Sequence, residues 1–137
     1  MEFVLDCSAT LPWLFASEAT PATNRLLDQL SEGAKAWVPT LWHLEVGNVL
    51  LSAQRRGRMD KAGIEKFFAG LAVYDIEVDG ETAALAWSKT FALGEAFGLT
   101  MYDAAYLELA LRRGVPLASL DRTLVAAMKK AGGQVLL

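Results

Sequence analysis

The chain is poor in residues that several function classes require. It holds one cysteine, Cys7, and one histidine, His43. A lone cysteine makes no internal disulfide, and nothing else points to secretion, so a cytoplasmic protein is expected. No apolar run approaches the roughly 20 residues that span a bilayer, and no membrane association is expected. The opening MEFVLD lacks a basic leader region and runs straight into an apolar stretch, so no signal peptide is expected either. Positive charge is not in excess: 13 Lys and Arg against 16 Asp and Glu leave a net charge of −3. That balance argues against a nucleic-acid binder acting by bulk electrostatics, but not against an active site itself built of carboxylates. Repeats, low-complexity tracts and linkers are also missing.

What remains is 137 residues, 53% of them hydrophobic, enough for one domain over 1–137 with its own core. The apolar surplus is expected on a subunit or partner interface. Short apolar runs at 2–6, 36–40, 74–78, 115–120 and 133–137 read as strands, and amphipathic stretches separate them. Ser8 and Thr40 are expected as helix caps, and Gly33 and Gly98 as helix stops. Alternation of strands and helices predicts an α/β three-layer sandwich with a mostly parallel central sheet flanked by helices.

Four carboxylates stand in unusual places. Asp6 directly follows an apolar strand, where α/β sheets bind ligands, although taken alone it reads more simply as a cap on the next helix. Glu45 interrupts the apolar helix stretch LWHLEVGNVLL, with Asn48 and Ser52 on the same face. Either this stripe is exposed, or a buried Glu45 needs a cation or water. Asp103 lies three residues after Thr100 in LTMYDAAYLELA, a spacing that suits a helix cap and also a ligand at a pocket rim. Asp121 ends the run PLASL and precedes a helix that it could cap. Gathered together, four acids repel one another unless a cation joins them. With no His or Cys among them, the oxygen set favours Mg²⁺ or Mn²⁺ over zinc and suits phosphoryl chemistry.

The segments FVLDCSA, LWHLEVGNVL, LTMYDAAYLELA and LASLDRTL resemble, in order and spacing, the four acidic motifs of the PIN-domain superfamily. The subgroup they are most similar to is the VapC-type toxin ribonucleases of type II toxin–antitoxin modules. The resemblance covers essentially the whole chain. It implies that Asp6, Glu45, Asp103 and Asp121 coordinate metal, with Ser8, Asn48 and Thr100 as polar support around them. It also implies an RNA phosphodiester substrate, Mg²⁺ or Mn²⁺ as cofactor, a homodimer, and a small cognate antitoxin that wraps the toxin near the site. A PIN-like domain that binds nucleic acid or a partner without cleaving is the alternative. A phosphorylated receiver-like module and a dehalogenase-like phosphatase fit less well, because the first wants paired acids and a late lysine and the second wants an aspartate where Ser8 stands.

The other reactive residues read more simply. His43 is expected at the surface or an interface, and Cys7 as a small buried hydrophobe. Arg55, Arg56, Arg58, Arg112, Arg113, Lys129 and Lys130 sit at helix ends and complement the dipole, with a minority available to RNA. Arg122, beside Asp121, is the first candidate for an RNA contact. Trp13 and Trp42 are expected to pack at an interface or to stack on a base.

Overall fold

Phe3, Val4 and Leu5 are fully buried, because the strand they form, β1 (Glu2–Leu5), is covered on both faces and flanked on both edges. The computed structural model describes residues 1–137. The other strands are β2 (Lys35–Val38), β3 (Ile76–Val78), β4 (Leu117–Ala118) and β5 (Val135–Leu136). Their order is β3-β2-β1-β4-β5. Every pairing is parallel, so the sheet expected to be mostly parallel is wholly so. Val4 sits opposite Trp37 on one side and Leu117 on the other.

Each crossover carries helix. After β1 come α1 (Cys7–Thr10) and α2 (Pro21–Ser31), and after β2 come α3 (Leu41–Arg55) and α4 (Lys61–Leu71). Between β3 and β4 lie α5 (Thr82–Leu85), a π turn over Ala86–Thr90, α6 (Phe91–Phe97) and α7 (Met101–Arg113). The last crossover is α8 (Arg122–Lys130). The chain steps from β1 to β3 in one direction, then returns to β4 and β5 in the other. Right-handed crossovers therefore put the earlier helices on one face and the later ones on the opposite face, giving the three layers. Leu26 and Leu30 of α2, Trp42, Val46 and Leu50 of α3, Tyr106, Leu107 and Leu109 of α7, and Leu124 and Met128 of α8 join the strands in one core. The reversal leaves a crevice at the carboxyl ends of β1 and β4, the adjacent strands whose connections leave in opposite directions.

Some local expectations change. Ser8 is inside α1 and Thr40 precedes α3 without a side-chain cap, since the Ser8 hydroxyl is engaged elsewhere and Thr40 has helical backbone angles. The apolar stretch 115–120 pairs only at Leu117–Ala118. The helix that Gly98 was expected to stop runs unbroken from Thr82 to Phe97 but widens into a π turn over Ala86–Thr90, where the Ser88 hydroxyl donates to the Leu85 carbonyl at 3.3 Å and competes with the helical ladder. Gly98 does end α6, in the left-handed conformation with φ 65° that a side chain disfavours. Trp42 is a core residue, its indole N–H donating to Thr10 Oγ1 at 3.1 Å, and Trp13 donates to the Thr23 carbonyl at 2.8 Å. Both are committed to internal packing and to partners within the chain.

Arg112 and Arg113 are likewise taken up internally. Asp79, 1% exposed, follows β3, and Glu108, 2% exposed, lies one turn before Arg112 on α7. Arg112 grips both Asp79 oxygens at 2.8 and 3.0 Å, and its Nε donates to Glu108 at 2.8 Å. Arg113 Nη2 adds a 2.7 Å ion pair to Asp79 and its guanidinium stacks over Trp37 at 3.4 Å. These bonds tie the end of α7 to the far edge of the sheet. Replacing Arg112 by Met should cost about 3–5 kcal/mol, because two carboxylates stay buried with their main partner gone. Urea denaturation measures this, and a loss below about 1 kcal/mol would show the network to be dispensable.

Candidate active site at the strand ends

Asp6 stands first after β1, its backbone N–H still donating to the Ala118 carbonyl at 3.0 Å. It occupies the position before α1, yet its side chain makes no cap bond, so the capping reading does not apply. The carboxylate is instead held by two hydroxyls. Ser8 Oγ donates to Oδ2 at 2.6 Å and Ser119 Oγ donates to the same oxygen at 2.7 Å. Both hydroxyls are oriented from behind: Ser8 Oγ accepts from the Leu120 N–H at 2.9 Å, and Ser119 Oγ from the Asp121 N–H at 3.1 Å. The chain turn after β4 therefore aims two protons at Oδ2 and leaves Oδ1 without a side-chain donor.

Glu45 reaches the same region from α3. That helix is registered on the end of β1 by a relay in which the Trp42 indole donates to Thr10 and the Thr10 hydroxyl donates to the Asp6 carbonyl at 3.2 Å. Glu45 is half-buried and does have a partner within the protein, since the Tyr106 hydroxyl of α7 donates to its Oε1 at 2.6 Å. Asp103 enters from the first turn of α7. Thr100 Oγ1 accepts from the Asp103 N–H at 3.2 Å, so the cap is real, but it uses the backbone of Asp103 and leaves its carboxylate free. Asp121 caps α8 with Oδ1, which accepts from the Leu124 N–H at 2.9 Å, and has its second oxygen to spare.

The electrostatics show that these acids share one neighbourhood. Burial pushes Asp6 above its ordinary value against the pull of the two serine hydroxyls, and Asp121 adds to the rise. Burial likewise raises Glu45 against the Tyr106 bond, with Asp6 and Asp103 adding to it. Asp103 is pushed up to about 6 by burial and by the charges of Asp121 and Asp6. Cys7, buried beside them, is pushed up to about 12 by burial and by Glu45 and Asp6, so it is a packed thiol with no nucleophilic character at neutral pH.

Not every expected residue joins. Asn48 is exposed and makes no side-chain hydrogen bond, while Thr100 serves only the helix end. Arg122 is exposed at the rim, next to Asp121, and His43 is exposed with its ring edge-on to Trp42. Ser119 and Tyr106 were not singled out from the sequence. Ser119 had a faint signal, because it precedes Asp121 by two residues as Ser8 follows Asp6 by two. Tyr106 had none beyond standing three residues after Asp103.

No three of the His, Cys, Asp and Glu side chains form a ready-made metal cage. A hard cation does not need one, since Mg²⁺ keeps several waters and takes one or two carboxylates directly. The donor chemistry fits such an ion: oxygen atoms only, mutually repelling, with one Asp6 oxygen free of side-chain donors.

A parallel sheet in this order, with acids from the ends of β1 and β4 and from α3 and α7 meeting at the reversal, defines a PIN-domain-like α/β protein. No protein-family model matches the chain. Ribonuclease VapC3 of Pyrobaculum aerophilum is 33% identical over 131 residues, covering 90% of this chain and 92% of that protein. The crystal structure of PAE2754 from Pyrobaculum aerophilum superposes with a TM-score of 0.72 at 23% identity, over 99% of this chain and 90% of that one. VapBC2 from Rickettsia felis, bound to a DNA fragment from its promoter, gives 0.68 at 11% identity, over 98% and 97% of the two chains. FitAcB from Neisseria gonorrhoeae gives 0.56 at 18%, over 98% and 96%. The chain belongs to the VapC family of ribonucleases.

The raised carboxylates predict an inverted pH dependence for the metal-free protein. Folded Asp103 binds its proton more tightly than the unfolded chain does, so stability is gained as pH falls through about 6 and is lost as pH rises. Asp79 acts oppositely. Arg112 holds its carboxyl well below the usual carboxylate range, and the stability this supplies is present above the unfolded value of 3.8 and lost as pH falls further. Melting temperatures in EDTA should therefore peak near pH 4 and decline as pH rises to about 6. Asp103→Asn should raise the value at neutral pH. Melting temperatures that climb steadily toward pH 8 would contradict the assignment.

Proposed function

We propose that this chain is a Mg²⁺- or Mn²⁺-dependent endoribonuclease that hydrolyses RNA phosphodiester bonds, the toxin of a toxin–antitoxin pair. The observation that carries the reading is the meeting of Asp6, Glu45, Asp103 and Asp121 at the sheet's reversal, each raised acid feeling the charge of another. Membership of the VapC family supports the ribonuclease activity. A divalent ion bound there supplies charge neutralisation and the activation of water at a phosphate.

The protein's own groups do the positioning. Ser8 and Ser119 hold the Asp6 carboxylate through Oδ2 and leave Oδ1 without a side-chain donor, and Thr100 anchors the helix turn that carries Asp103. Asp121 keeps one oxygen for the helix and one for the site. Neither Cys7 nor His43 is placed to act as a base. Arg122, exposed and without an ion-pair partner, supports a contact to the RNA backbone.

Protein partners are supported by exposed apolar side chains. Trp87 is 94% exposed, and Leu44, Val73 and Phe91 are exposed as well. An apolar groove of about 330 Å³ between α3, α4 and β3, lined by Trp42, Val46, Phe68, Leu71 and Ile76, suits an antitoxin segment. The exposed Trp87 and Phe91 suit burial against a second copy of the chain in a homodimer. No helix is long and apolar enough to cross a membrane.

Cleavage of a structured RNA by the purified chain should need Mn²⁺ or Mg²⁺ and stop in EDTA. Asp6→Asn and Asp103→Ala should each lower the rate at least about 100-fold while far-UV circular dichroism stays unchanged. Undiminished cleavage in EDTA, or by the Asp103 variant, would overturn the proposal. Absence of cleavage by the wild-type chain under all these conditions would favour the binding-only alternative.

A further inference from the structure

Tyr106 belongs to α7 yet acts on α3. Its side chain is completely buried, and its hydroxyl has one partner, the Oε1 of Glu45 at 2.6 Å. Asp103 lies three residues earlier, so the two side chains share a face of α7. A single helix thus presents one carboxylate to the crevice and grips another that comes from a different element. Glutamate has three side-chain torsions, and Glu45 is only half-buried, so packing alone leaves its carboxylate head free to swing. The tyrosine ring is immobile in the core and its O–H can donate to one acceptor only. Bound to Oε1, it fixes the head of Glu45 and leaves Oε2 as the oxygen for a ligand.

We infer that Tyr106 is a positioning residue that orients Glu45 toward the divalent cation. The inference rests on the proposed metal role of the four acids. Tyr106 need not touch the ion or the RNA, and its contribution should resemble that of other groups that orient metal-binding side chains from behind, a 10–100-fold effect on affinity. A tyrosine that merely satisfies its own burial by bonding Glu45 would have no such effect.

Binding of MnCl₂ to the metal-stripped full chain, followed by the electron paramagnetic resonance of free Mn²⁺, separates these roles. Tyr106→Phe keeps the ring in the core and should weaken Mn²⁺ binding about 10–100-fold. Glu45→Gln should weaken it at least as much. Adding Tyr106→Phe in the Glu45→Gln background should cause no further loss, because the hydroxyl acts only through the carboxylate. Unchanged affinity in Tyr106→Phe, beside a weakened Glu45→Gln, would overturn the inference and leave the metal site standing. An equal further loss in the double variant would also overturn it, since that marks a general disturbance of the core. Wild-type affinity in Glu45→Gln, or no Mn²⁺ binding by the wild-type chain, would remove the metal role of Glu45 and the inference with it. Glu45→Asp, which withdraws the carboxylate from the tyrosine without touching the core ring, covers the case in which Tyr106→Phe unfolds. It too should bind weakly, and wild-type affinity there would overturn the inference.

Discussion

The structure turns on a carboxylate buried where it repels its neighbours. Asp6 is 5% exposed, sits at the end of the central strand, and has three other acids within electrostatic reach. Folding places these charges together against their preference for water and for distance. Two serine hydroxyls, both oriented by backbone N–H groups from the turn after β4, offset part of that cost. The turn is itself held by the β1–β4 pairing, so the sheet's reversal point and the acid cluster are mutually dependent. A fold optimised only for stability would place apolar or neutral groups here, and a bound cation of the kind proposed would offset the repulsion that these acids carry.

α7 connects the acid cluster to the far edge of the sheet. Its first turn carries Asp103, its middle carries Tyr106 against Glu45, and its last turn carries the Arg112 and Arg113 bonds to Asp79. Between them lie Leu107, Leu109 and Ala110, all inaccessible to solvent. The helix is therefore fixed by apolar packing along its length and by ion pairs at its end. That rigidity suits an element which sets two of the four carboxylates. The opposite is true of α4, which buries no side chain fully and has apolar grooves beside it. The protein combines a firm frame around its acids with a less deeply buried, apolar face along α4.

Much of this was legible in the sequence, for reasons that can be named. The runs FVL and PLA are apolar without alternation, which is what a parallel strand buried on both faces requires. Asp6 and Asp121 stood out because each closes such a run, and Glu45 because it breaks an apolar helix face. The capping reading of Asp103 and the ligand reading proved compatible, since the cap takes the N–H and spares the carboxylate. Ser119 and Tyr106 stayed hidden because a serine after a strand and a tyrosine in a core helix are ordinary residues until their partners are known. Asp79 was hidden for a related reason. VDGE looks like a solvated turn, and only the approach of two arginines 33 and 34 positions later makes it buried. Long-range partners of this kind leave no periodicity for a sequence to display.

The central claim is that the four acids form one cation site. A crystal of the protein soaked in MnCl₂, with diffraction collected at the manganese absorption edge, tests it directly. An anomalous peak bounded by Asp6, Glu45, Asp103 and Asp121, within about 2.5 Å of at least one carboxylate oxygen, is the expected result. A crevice without manganese while other surface carboxylates are occupied would contradict it.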